Sequence, residues 1–210
     1  MVHRTPFFLP ILYPSLTWRM PATTNTLYLT FDDGPVPGPT EFVLETLKRS
    51  NVRATFFCIG NNIKKHPGIF SKVLDHGHSV GNHTYDHLNG WRTLSNNYAQ
   101  DVAKCREAID THTGGKERSS SLFRPPFGRI SRAQIKTLLP QYKIIMWDVL
   151  SIDYNRNLSE EKCLRNTIKA CRPGSIIVFH DSYKAEKNLT YTLPRFVEHF
   201  MEKGVRFGVI

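Results

Sequence analysis

Strand-like and helix-like stretches alternate along almost the whole chain, and this alternation restricts the fold more than any other feature. Apolar, β-branched or aromatic runs occupy residues 26–31, 53–59, 78–82, 122–124, 142–147, 175–180 and 205–209. Helical periods fill most of the gaps. Tyr98, Val102, Cys105 and Ile109 step by four, three and four after Ser95, with Gly114-Gly115 as a stop. Leu164, Ile168 and Cys171 follow Ser159, with Glu160 and Glu161 in the first turn and Pro173-Gly174 beyond. Further apolar faces comprise Val43, Leu44 and Leu47; Ile69, Phe70, Val73 and Leu74, closed by Gly77; Ile135, Leu138 and Leu139; and Phe196, Val197, Phe200 and Met201. Seven strands and six helices in alternation predict an α/β chain with a parallel sheet and right-handed crossovers. Periodicity alone leaves a closed barrel and an open sheet equally available.

The 210 residues are enough for one domain with a real core, and 40% apolar with 22% charged residues excludes disorder and fibrous repeats. No apolar run approaches the 18 residues of a membrane span. Residues 1–24 stand outside the alternation. Within them the apolar stretch 7–16 carries Pro10 and Pro14 and no small-residue cleavage site, a poor signal peptide. It reads as an N-terminal arm, with residues 25–210 as the main domain, although its apolar side could instead lie on a membrane surface. Without a clear export signal the compartment stays open between a soluble cytoplasmic form and export by an unrecognised route. The four cysteines, Cys58, Cys105, Cys163 and Cys171, form no CxxC pair, and the last two fall about 12 Å apart on one predicted helix. Free thiols are expected. The formal net charge of +10 favours an anionic partner or reflects only a basic solvated surface. The basic residues are scattered without an aromatic ladder, so no nucleic-acid partner is expected. The oligomeric state is not readable.

Polar residues gather where the strands end. Asp32 and Asp33 follow the first, His83 the third, Arg124 the fourth, Asp148 the fifth and His180 the sixth. Parallel α/β folds build their sites at these carboxyl ends. His83-Thr84-Tyr85-Asp86-His87 spaces two imidazoles within the range of zinc sites, and on a helical turn both rings would face one way. The adjacent carboxylates of Asp32-Asp33 can supply a third ligand and a base, since the glutamate of an HExxH motif is replaced by Thr84. Two imidazoles and one carboxylate leave a coordination position open, as catalytic zinc sites do. A plain Asp-Gly turn and two loop histidines are the bland alternatives. Two adjacent like charges after an apolar strand count against the first.

Thr30-Phe31-Asp32-Asp33-Gly34-Pro35 and His83–His87, followed by Arg124-Pro125-Pro126-Phe127-Gly128, Trp147–Tyr154 and Val178-Phe179-His180-Asp181, resemble the motifs of the polysaccharide deacetylases, carbohydrate esterase family 4. The resemblance implies a distorted (β/α)7-type barrel and a metal-dependent N-deacetylase that converts the acetamido groups of N-acetylglucosamine-containing glycans, peptidoglycan or chitin-like oligomers, to amine and acetate. It assigns Asp33, His83 and His87 to a divalent metal, zinc by ligand type, with cobalt or nickel able to bind the same set. It makes Asp32 the general base, paired with Arg124, and His180 the general acid, supported by Asp153. Phe127, Tyr154 and Val178 fall at substrate-binding positions, where they replace the family's usual tyrosine, tryptophan and leucine. No ligand, base or acid is lost. The alternatives are an inactive glycan-binding module and a small-molecule amide or imide hydrolase on the same scaffold.

Overall fold

Strand β1 (Thr26–Asp32) is buried along nearly its whole length, as a strand covered on both faces must be. In the computed structural model, which describes residues 3–113 and 121–210, its side chains divide by alternation. Leu27, Leu29 and Phe31 enter a core with Val43, Leu44 and Leu47 of helix α2 (Pro39–Arg49) and Leu193, Phe196 and Val197 of α8 (Glu186–Glu202). Thr30 and Asp32 turn inward, where both accept hydrogen bonds from Arg124 Nη1 at 2.7 Å. Phe57, Leu122, Ile145 and Ile176, with Tyr28 and Trp147 against them, form a separate apolar cluster. The Phe57 ring lies 4.1 Å from the Arg124 guanidinium, which places that cluster next to the buried charge.

The remaining strands are β2 (Thr55–Cys58), β3 (Ser79–Asn82), β4 (Leu122–Phe123), β5 (Lys143–Ile144), β6 (Val149–Leu150), β7 (Ile176–His180) and β8 (Arg206–Gly208). They lie in the order β5-β4-β3-β2-β1-β7-β6, and every pairing is parallel. Tyr28 pairs with Ile176 on one side and Gly208 on the other, so β8 shares the β2 edge of β1. The other helices are α1 (Phe8–Leu12), α3 (Gly60–Lys65), α4 (Pro67–Asp75), α5 (Ser95–Thr113), α6 (Arg132–Leu138) and α7 (Glu160–Ala170). Together they make the curled sheet a half-barrel, the distorted (β/α)7-type architecture. All four cysteines are free. Among the described residues no helix is long and apolar enough to cross a membrane.

Two departures from the sequence pattern have identifiable causes. The run at 142–147 is not one strand. The carbonyls of Ile145 and Met146 are taken by Arg124, so the chain leaves β4 and reaches β7 as β6 without a helix between. The expected single helix between β2 and β3 is two, because Pro67 cannot continue α3 and instead opens α4. The Gly114-Gly115 stop lies outside the described residues.

The two edge strands of the half-barrel are bridged by the N-terminal residues. Thr17 exchanges hydrogen bonds with Ile144 and Met146, while Thr5 donates to the Asp148 carbonyl and His3 accepts from Leu150. Leu16 and Trp18 pack with Phe123, Ile135 and Ile144, so this segment closes the seam between β5 and β6 and covers core.

Candidate active site

Every proposed site residue except Arg124 and Asp153 lines one cleft of about 410 Å³ at the carboxyl ends of the strands, and these two lie directly behind it. At the end of β1, Asp33 has φ 85° and reverses the chain. The turn is held from β7: Asp181 accepts from the Gly34 N–H at 3.0 Å and from Thr40 Oγ1 at 2.6 Å. A Cβ on Gly34 would overlap the Asp181 carboxylate, so this close approach requires glycine.

The His83–His87 segment is not the helical turn expected from its spacing. Thr84 and His87 both have positive φ, and the loop is pinned from α5, whose Asp101 accepts the Tyr85 and Asp86 N–H groups at 2.8 and 3.1 Å. Thr84 N–H donates to Asn82 Oδ1, and Leu88 N–H to Thr84 Oγ1. The imidazoles nevertheless meet, with centroids 5.2 Å apart. Asp33 Oδ1 lies 3.3 Å from His87 Nε2 and 3.8 Å from His83 Nε2, and one ligand atom from each of the three residues falls within 4.8 Å of the others.

These three residues suit a cation. His83 Nδ1 faces the Arg124 carbonyl at 2.8 Å, which turns Nε2 toward Asp33. Burial lowers the His83 pKa to about 4 despite the neighbouring carboxylates, so the ring is neutral, the form that ligates. Burial pushes the Asp33 carboxyl up, but a hydrogen bond from His87 and the charge of His180, the leading opposing effects, outweigh it and hold the group well below the usual carboxylate range. Removing the Asp101 carboxylate by Asp101→Ala should leave two N–H groups without their acceptor. The expected cost is about 1–3 kcal/mol in chemical denaturation and roughly 10–100-fold in metal affinity by titration. Unchanged metal affinity would show that the loop holds its shape without this brace.

Next to Asp33 on β1 stands Asp32, whose carboxylate receives Arg124 Nη1 at 2.7 Å. The guanidinium is fully buried; burial lowers its pKa, and Asp32 opposes that shift. His180, at the end of β7, is the register partner of Asp32 across the β1–β7 pairing. Its Nδ1 lies 2.7 Å from Asp153 Oδ1, and its backbone N–H donates to Asp153 Oδ2. Burial disfavours the imidazolium, yet Asp153, then Asp33 and Asp32, raise the pKa to about 9. Phe127, at φ 60°, lies against the His87 ring at 4.6 Å, and Tyr154 meets His180 edge-on at 5.0 Å. Val178 and Leu150 add apolar wall.

Asp148 does not join this constellation. It binds Arg172 through two hydrogen bonds and Ser175 Oγ at 2.7 Å, at the start of β7, whereas His180 ends that strand. Asp101, Asn82 and Asn188 were not legible as site residues. They act through backbone contacts between segments distant in sequence, and no local pattern marks them.

The family model described as polysaccharide deacetylase matches residues 19–140. The chain belongs to this family. A peptidoglycan-N-acetylglucosamine deacetylase of Bacillus cereus is 33% identical over 181 residues, covering 85% of this chain and 64% of the relative, so the chain spans less than two thirds of that protein. The crystal structure of the Bc1960 peptidoglycan N-acetylglucosamine deacetylase in complex with an N-hydroxybenzamide ligand superposes with a TM-score of 0.86 at 30% identity, covering 98% of this chain and 95% of that one. A pseudoenzyme of carbohydrate esterase family 4, BA3943 from Bacillus anthracis, also superposes, with a TM-score of 0.82, 25% identity and coverage of 92% and 66%. Membership of the polysaccharide deacetylases therefore does not by itself guarantee catalysis; the side chains must carry that argument.

Proposed function

We propose that the protein is a divalent-metal-dependent N-deacetylase acting on N-acetylglucosamine units of a glycan, with peptidoglycan or a chitin-like oligomer as substrate class. The observation that carries the reading is the placement of a paired carboxylate, Asp32, and a carboxylate-supported imidazolium, His180, in one cleft with the Asp33–His83–His87 cluster. Base, acid and ligand set are all retained, which favours an enzyme over a binding module that has lost its chemistry.

Asp33, His83 and His87 would hold the cation, zinc by donor type, which when bound supplies Lewis acidity and lowers the pKa of water. Asp32 is oriented by Arg124 and takes the proton of the attacking water. The water oxygen bonds to the acetamido carbon, and the developing oxyanion is met by the Phe127 backbone N–H. His180 gives its Nε2 proton to the amine as the C–N bond breaks, leaving acetate and a free amino sugar. Val178, Leu150 and Tyr154 provide an apolar seat for the acetyl methyl group.

Acetate release from N-acetylglucosamine oligomers and peptidoglycan tests this directly. Treatment with a chelator should reduce release to background, and zinc, cobalt or nickel add-back should restore it. Release that survives complete metal removal would refute metal dependence, and no release from any fully metallated preparation would refute the deacetylase reading.

A further inference from the structure

Two cations line the cleft without serving the chemistry described above. Arg129 follows the Phe127 turn beyond β4, and Lys184 lies in the loop after β7. In the strand order they fall on opposite sides of β3 and β1, which carry the ligand residues. Both are exposed, and among the described residues neither makes an ion pair with a carboxylate. Arg49, Lys72, Arg106 and Arg172, by contrast, each pair with a neighbouring acid. Arg129 and Lys184 lie instead over aromatic rings at the rim: the Arg129 guanidinium is 5.3 Å from the Trp91 centroid, and the Lys184 ammonium is 5.2 Å from that of Tyr154. An aromatic face steers a long cationic side chain without neutralising it. The two charges are thus held at the cleft and left available.

We infer that Arg129 and Lys184 select an acidic glycan, contacting carboxylates on the sugars that flank the one being deacetylated. The inference rests on the deacetylase reading and names its substrate class more narrowly. A peptide-free strand in which N-acetylglucosamine alternates with N-acetylmuramic acid presents a free lactyl carboxylate on each side of every internal glucosamine, whereas a strand still carrying its peptides has those carboxyls in amide linkage. A chitin oligomer presents none. With the acetamido group over Asp33, His83 and His87, a bound strand would extend toward both cations, and each could meet one lactyl carboxylate.

The test is calorimetric binding of a soluble glucosamine–muramic acid strand and of the same strand with its lactyl carboxyls reduced to alcohols. Exposed charge pairs are individually modest, so two of them predict about fivefold tighter binding of the carboxylated strand at low salt, a gap that narrows as ionic strength rises. In the Arg129→Gln/Lys184→Gln variant the affinity ratio should fall to near one. Equal affinity of the wild type for both strands, binding of neither, or a ratio that survives in the double variant would each overturn the inference. Failure of the deacetylase reading would look different: no acetate released, with the affinity ratio intact. The substitutions are on exposed side chains, and the circular dichroism spectrum and Tm of the variant establish that it is folded.

Discussion

Replacing His180 with alanine is expected to lower turnover by roughly 10²–10⁴-fold, while zinc binding, measured by elemental analysis of reconstituted protein, stays at the wild-type level. The separation is possible because His180 lies outside the Asp33–His83–His87 group. Its role depends on the proton at Nε2. Burial disfavours that proton, but Asp153 and the more distant carboxylates outweigh burial and raise the pKa to about 9. The folded value is above the ordinary one, so the acid is loaded at neutral pH and activity should decline as pH rises through His180's pKa. A cation on Asp33 offsets one of the charges responsible, so the limb of the metallated protein should lie below that of the metal-free titration. Asp153→Asn should move the limb further down, because it removes the partner at 2.7 Å. The two measurements are pH–rate profiles and the imidazole resonance of His180 followed by NMR. A His180→Ala enzyme working within tenfold of wild type, or an Asp153→Asn profile that does not move, would remove this imidazole from proton transfer.

What the sequence reveals here depends on the range of the interaction involved. The motifs at Asp32-Asp33, His83–His87, Arg124 and His180 are short strings placed at strand ends, so the alternation alone brings them toward the carboxyl end of the sheet, whereas Asp153 is marked only by the family resemblance. Helix α7 was equally legible: Ser159 accepts from the Lys162 N–H, with Glu160 and Glu161 in the first turn. The geometry between motifs was less accessible. The His83–His87 turn looks helical by spacing, but its conformation is set by Asp101 of α5, 14 residues beyond His87. Asp148 follows an apolar run, yet it is drawn to the opposite end of β7 by Arg172 and Ser175. The run at 142–147 is strand only at β5, and beyond it the guanidinium of Arg124 takes the Ile145 and Met146 carbonyls. In each case a long-range polar contact decides what local periodicity cannot.

Arg124→Met should be the most destabilising of the substitutions considered, and the reason lies in what surrounds the side chain. Its guanidinium has no solvent exposure, lies 4.1 Å from the Phe57 centroid and donates to Asp32, Thr30 Oγ1 and the carbonyls of Ile145 and Met146. Methionine fills much of the volume and supplies none of the donors. Asp32 is then a carboxylate with 5% of its side chain exposed and no counter-charge. Breaking such a pair from one side costs about 3–5 kcal/mol, which for a chain of this size corresponds to a fall in Tm on the order of 10 °C. Without the guanidinium nothing orients the Asp32 carboxylate, so the residual folded enzyme should also lack a working base. Adding Asp32→Asn to Arg124→Met removes the stranded charge and should recover part of the lost stability but none of the activity. The double-mutant cycle, read by urea denaturation and acetate release, separates the two roles. If Arg124→Met unfolds within 1 kcal/mol of wild type, the buried pair is not what joins β1 to β4 and the β5–β6 crossing. If Arg124→Met/Asp32→Asn is no more stable than Arg124→Met, the loss comes from the unpaired carbonyls of Ile145 and Met146 rather than from the isolated carboxylate.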